Sequence, residues 1–205
     1  MGRQFRTVVS LAAALGVAFA LTRFGAPPKA ALQTRLVYEA VWWAVAAAIA
    51  PYFLSLARQM PSWRDIAIAV AAGALIALGK MLVYLTLFPV LLLSISLSHV
   101  PNILEMPSWY RLLMVMRIAV AGELLFRAYP IERGEAFAPG SGKWIAAAAS
   151  FAVFAAASWS GWNPVEGIAT IFAGAMFTGL YLWRHSLAVN ALASFIALSA
   201  GYLLR

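Results

Sequence analysis

Residues 108–133 read SWYRLLMVMRIAVAGELLFRAYPIER, and three charges within that run decide what kind of fold the chain can adopt. From Trp109 to Tyr129 nearly every other side chain is apolar, over a length that a helix rising 1.5 Å per residue needs to cross a bilayer core of roughly 30 Å. Arg117, Glu123 and Arg127 lie inside this stretch. An ionisable group at membrane depth is costly unless paired or hydrated, which makes each one a functional candidate by default. Glu123 and Arg127 are one helical turn apart with the acid first, the favourable order for an ion pair. The plainer reading of that pair is structural, a clamp near the membrane interface. Arg117 lies deeper and has no acid three or four residues away. Its partner is therefore expected on another helix, with Glu39 a candidate, or among backbone carbonyls or water.

The rest of the 205-residue chain has the same character. It is 64% hydrophobic and 11% charged, with a mean hydropathy of +0.85, which excludes an ordinary soluble domain. The net charge is +8, but the basic residues sit between apolar runs. Such placement fits anionic lipid headgroups and topology signalling, and membrane lipids rather than nucleic acid are the expected partners. With no cysteine, disulfides, thiolate metal sites and cysteine nucleophiles are excluded. Eight Trp and seven Tyr supply interfacial belts.

Counted at about 20 apolar residues per crossing, the chain predicts about seven spans, near 7–23, 37–57, 66–88, 108–128, 143–159, 164–183 and 186–204. The fold class is thus an all-α, polytopic transmembrane bundle, one domain over 1–205, with N-terminal spans over 1–106 and a second half over 107–205. Met1 to Arg23 has the basic start and apolar run of a signal peptide, but an uncleaved first span is preferred because further spans follow. Asp65 to Val100 is too long for one straight crossing and contains Pro89, so a span followed by an interfacial or re-entrant piece is expected. Pro27, Pro28, Pro61, Pro101, Pro107, Pro130, Pro139 and Pro164 are all expected near helix ends, where a missing N–H is tolerated. Lys and Arg counts favour an inside N-terminus and an outside C-terminus in a bacterial cytoplasmic membrane, although Arg23, Lys29 and Arg35 fall on the outer side.

Gly122-Glu123-Leu124-Leu125-Phe126-Arg127-Ala128, continuing to Arg133, resembles the EExxxR motif of the CPBP family of intramembrane proteases, which includes CAAX prenyl proteases and bacteriocin-processing enzymes. Ser150 to Ser158 resembles the family's FxxxH motif, with Phe154 in the Phe position. Gly174 and Gly179 to Leu182 resemble its small-residue helix, and Ser186 to Leu198 its last helix, which ends in HxxxN or HxxxD. The resemblance runs in order from Arg117 to Leu198 and implies a CPBP-like core in the second half.

It also implies a chemistry in which the first Glu, two His and an Asn or Asp activate water, through a glutamate base or a metal. Carried onto this sequence, those positions are Gly122, Ser158, Ser194 and Leu198, and all four are replaced. Glu123, Arg127 and Phe154 remain. Physical chemistry points the same way, because water activation needs a base poised near neutral pH or a metal, and neither Ser nor Leu supplies one. His99 and His185 fall at opposite membrane faces in the predicted topology and read as interfacial residues. No metal or other cofactor is expected. A serine enzyme built on Ser160-Gly161 lacks a base, and an aspartyl dyad needs two Asp where the chain has only Asp65. Ser158 and Ser194 also suit close helix packing.

The expected function is therefore that of a catalytically inactive member, a pseudoprotease, acting as a scaffold, assembly or stabilising subunit of a larger membrane complex. Two alternatives stand beside it. One is a protein that binds a lipid, isoprenoid or quinone in the former protease cavity, with Trp159, Trp162 and Trp183 around its mouths. The other is a divergent active protease with Glu123 as base and Arg127 steadying an oxyanion.

Overall fold

A computed structural model describes residues 2–24, 30–51, 61–91, 106–159 and 164–202. Among these residues the secondary structure is helical throughout. It comprises α1 (Gly2–Arg23), α2 (Leu32–Ile49), α3 (Trp63–Leu91), α4 (Ser108–Arg117), two wide π-type turns (Ile118–Gly122 and Leu124–Ala128), α5 (Tyr129–Phe137), α6 (Gly142–Ser158), α7 (Pro164–Arg184) and α8 (Leu187–Tyr202). α4, the wide turns and α5 run on without a break, so the described residues form seven helical rods, the number that hydropathy predicts. Three segments, Arg6–Arg23, Trp63–Leu87 and Pro164–Arg184, are long and apolar enough to cross a membrane, and Gly142–Ser158 and Leu187–Ala200 are shorter apolar helices.

The boundaries differ from expectation at several places. α2 starts at Leu32 rather than near 37. α3 continues through Pro89 to Leu91, and the interfacial or re-entrant piece expected after it lies outside the described residues. Pro130 sits in the first turn of α5, near a helix end as expected, although the wide turn before it continues the rod without a break. A proline inside a helix cannot donate to the carbonyl four residues earlier and crowds it. Here that carbonyl belongs to Phe126, and Ser150 on α6 donates its hydroxyl to it. The wide turn over Leu124–Ala128 opens the backbone just before the proline, as π-type geometry does where a ladder is interrupted.

Every residue from Ala121 to Pro130 is buried. A helix buried on all sides lies at the centre of its bundle. Around it α1, α2, α6 and α7 contribute one apolar cluster that includes Ala18, Trp42, Leu125, Ala147 and Tyr181. A second cluster joins α3 to α7 and α8 through Ile76, Phe177, Val189 and Ala193. α3 and α8 approach closely at Gly73, where a Cβ would stand 2.7 Å from the Ala193 carbonyl oxygen. In lipid, apolar burial does not by itself drive helices together, so close packing of this kind and interhelical polar contacts carry the association.

Polar contacts also mark the two ends of the bundle. At one, Arg23 donates to the Trp159 carbonyl at 2.9 Å. At the other, Arg184 pairs with Asp65, and Glu132 accepts from Tyr181 at 3.0 Å while facing His185 Nδ1 at 3.2 Å. His185 makes the abrupt turn from α7 to α8 in a left-handed conformation, φ 47°. His99 lies outside the described residues.

A candidate intramembrane polar cavity

Two ion pairs flank the central rod, one fully buried and one with a buried acid and a partly buried Arg. On one side Arg117 Nε lies 2.6 Å from Glu39 Oε2, which supplies the interhelical partner that its sequence position requires. The guanidinium lies over two nearly perpendicular rings, 5.4 Å from the Tyr38 centroid and 5.0 Å from that of Trp42. Tyr110 adds a hydroxyl 3.4 Å from Glu39 Oε1. Such placement suits arginine, whose planar, weakly hydrated cation tolerates aromatic faces better than an ammonium does.

On the other side Glu123 and Arg127 are paired as their spacing predicts, Nη1 to Oε1 at 3.4 Å, and both are buried. Phe154 lies under the guanidinium at 4.3 Å, and its ring meets Phe126 edge-on at 5.3 Å. Thus the three residues retained from the motifs, Glu123, Arg127 and Phe154, form one contiguous group. The wide turns on either side of Glu123 set its rotation on the rod.

Glu123 has a further partner that sequence reasoning missed. Asn190 Nδ2 donates to Glu123 Oε2 at 2.6 Å and to the Phe177 carbonyl at 3.1 Å, with the Asn side chain fully enclosed. Ser194, one turn further along α8, also approaches the Glu123 carboxylate. The signal was available in part, since Asn190 and Ser194 are four apart and share a helix face. What could not be read is which residue that face meets.

Between the two ion pairs lies a cavity of about 250 Å³. Its lining includes Gly122, Ser158, Ser194 and Leu198, the four replaced positions, brought together from the central rod, α6 and α8. Arg117, Glu123, Arg127 and Phe154 line it too. The first half of the chain contributes Thr22, Tyr38, Trp42 and Lys80, although hydropathy alone gave these spans no role in a site. The aromatic residues differ from expectation. Trp42 and Tyr38 face the cavity, whereas Trp159 and Trp183 are largely exposed away from it, and Trp162 lies outside the described residues. Lys80 was also missed, although a lysine deep in an apolar span is a signal in its own right.

The donor set does not fit a metal ion. Among the described residues no group of three or more His, Cys, Asp and Glu is placed to hold one. The side chains at the four replaced positions offer two hydroxyls and a Leu, none of them a strong ligand for zinc or another hydrolytic metal. Glu123 is tied to Arg127 and Asn190 instead.

The fold and the site define an integral membrane helical bundle with an internal polar cavity. Residues 104–197 match the family described as type II CAAX prenyl endopeptidase Rce1-like, so the family resemblance read from the motif around Gly122 to Arg127 is shown. No curated protein and no solved structure matches the chain.

Proposed function

We propose that this Rce1-like membrane protein is a pseudoprotease that works by binding, as a scaffold, assembly or stabilising subunit of a membrane complex. The observation that carries this reading is the convergence of Gly122, Ser158, Ser194 and Leu198 on one cavity. Replacement at four positions that share a cavity is what loss of a reaction with retention of a bundle leaves behind. Glu123, the one acid kept from the motif, is enclosed and hydrogen-bonded by Asn190, which suits a structural clamp better than a base that must exchange a proton with water. The same reading places the protein in a bacterial cytoplasmic membrane. The end carrying Asp65, Glu132 and Arg184 faces the cytoplasm, and the end carrying Arg23 and Trp159 faces outward.

Purification of the tagged protein from its native membrane in mild detergent tests this reading. A stoichiometric membrane-protein partner identified by mass spectrometry supports it. Recovery as a lone chain, or a membrane-peptide cleavage in cells that Glu123→Gln abolishes, overturns it.

The open cavity favours a second reading, in which the protein holds a lipid-like ligand in the space between Arg117 and Arg127. An apolar pocket with a few convergent polar groups is the usual form of such a site.

A further inference from the structure

The geometry points to an anionic amphiphile as the ligand of the cavity, an apolar chain ending in a carboxylate or phosphate whose head is held by Arg127 and Lys80. The inference rests on the ligand-binding reading just given and goes beyond it by fixing the chemistry of the head.

Three cations line the cavity, and their existing partners differ. Arg117 is neutralised by the Glu39 carboxylate at 2.6 Å and lies over two aromatic rings, although its Nε makes no aligned hydrogen bond. Arg127 pairs with Glu123 through Nη1, while its Nη2 is buried with no hydrogen-bond partner. The whole Arg127 side chain is only 4% exposed, so that nitrogen is out of reach of bulk solvent. A buried guanidinium N–H without an acceptor is costly, and an oxygen in the cavity would relieve it. Lys80 is 19% exposed and its Nζ stands 3.9 Å from Glu166 Oε1, beyond hydrogen-bonding distance. Its three donors are therefore not spent on that acid. Glu166 is 41% exposed and also accepts from Thr170, so it is partly screened by solvent and neutralises Lys80 incompletely.

The head thus meets a planar N–H donor and an ammonium, the pair that charge-assisted hydrogen bonding to carboxylate or phosphate uses. Phe177, Ala173, Ala197 and Leu198 give the lining an apolar part that suits an alkyl chain, while Ser158, Thr170 and Ser194 add hydroxyls elsewhere.

Native mass spectrometry of the full chain in detergent, with dodecanoate, dodecyl phosphate and dodecanol as probes, tests the assignment. The expected result is binding of either anion about tenfold or more tightly than dodecanol, as a hydrogen bond to a charged group predicts. Loss of that preference is expected in Lys80→Met and its retention in Lys80→Arg. The two anions separate a fatty-acid-like from a phospholipid-like source. Equal binding of dodecanol and the anions, or preference unchanged in a folded Lys80→Met, overturns the anionic head while leaving a ligand site. No binding of any probe, with only bulk lipid retained, overturns the ligand site as well.

Discussion

Asn190 on α8 donates its side-chain amide to Glu123 on the central rod at 2.6 Å, joining two residues 67 positions apart inside the bundle. The contact does for Glu123 what Arg127 alone, at 3.4 Å, does weakly.

Replacing Asn190 by Leu should therefore leave Glu123 Oε2 short of a donor and lower stability by about 2 kcal/mol, the scale of a hydrogen bond to a charged group. Glu123→Gln in the same background should add to the loss rather than recover it, because it strands the buried Arg127 guanidinium. Thermal or denaturant unfolding in detergent measures both. A loss in Asn190→Leu of under about 0.5 kcal/mol would show that the bond contributes little, since that is the scatter of neutral substitutions.

The Glu39–Arg117 pair ties α2 to the start of the central rod. Removing one partner, as in Arg117→Met, strands a buried charge and should cost about 3–5 kcal/mol, whereas the double replacement Glu39→Leu, Arg117→Met should recover most of it. Single and double variants compared in a thermodynamic cycle give the coupling. Additive losses would contradict a direct pair.

Ser150→Ala removes the hydroxyl that serves the Phe126 carbonyl and should cost about 1–2 kcal/mol. Pro130→Ala restores a backbone N–H at the same turn. It is expected to blunt the effect of Ser150→Ala, so the two changes should be non-additive in equilibrium unfolding.

Two glycines of the cavity should respond in opposite ways. A Cβ on Gly174 would lie 2.3 Å from the Phe154 ring and 3.2 Å from Arg127 Nη2, so Gly174→Ala should overpack the stack and cost about 1–3 kcal/mol. A Cβ on Gly122 meets only the Ile118 Cγ2 at 3.9 Å, and Gly122→Ala should be neutral or stabilising by up to about 1 kcal/mol. Melting temperatures of the two variants side by side distinguish these outcomes.

Much of the molecule is legible in its residues. Apolar runs at bilayer length require helices, because a backbone in lipid must satisfy its own hydrogen bonds. Counting such runs gives seven spans, the number of helical rods among the described residues. Spacing by four places Glu123 beside Arg127 in any helix, and the absence of a local acid sends Arg117 to another helix for its partner. The motif resemblance from Gly122 to Arg127 also needed no coordinates. Helical periodicity, however, fixes neighbours only within about a turn. Which faces meet across the bundle depends on the rotation and approach of whole helices, set here by the wide turns around Glu123 and by close packing at Gly73 and Gly174. Only the tertiary structure could bring Asn190 to Glu123, Ser150 to the carbonyl that Pro130 leaves without a donor, and Lys80 into the cavity lined by the four replaced positions.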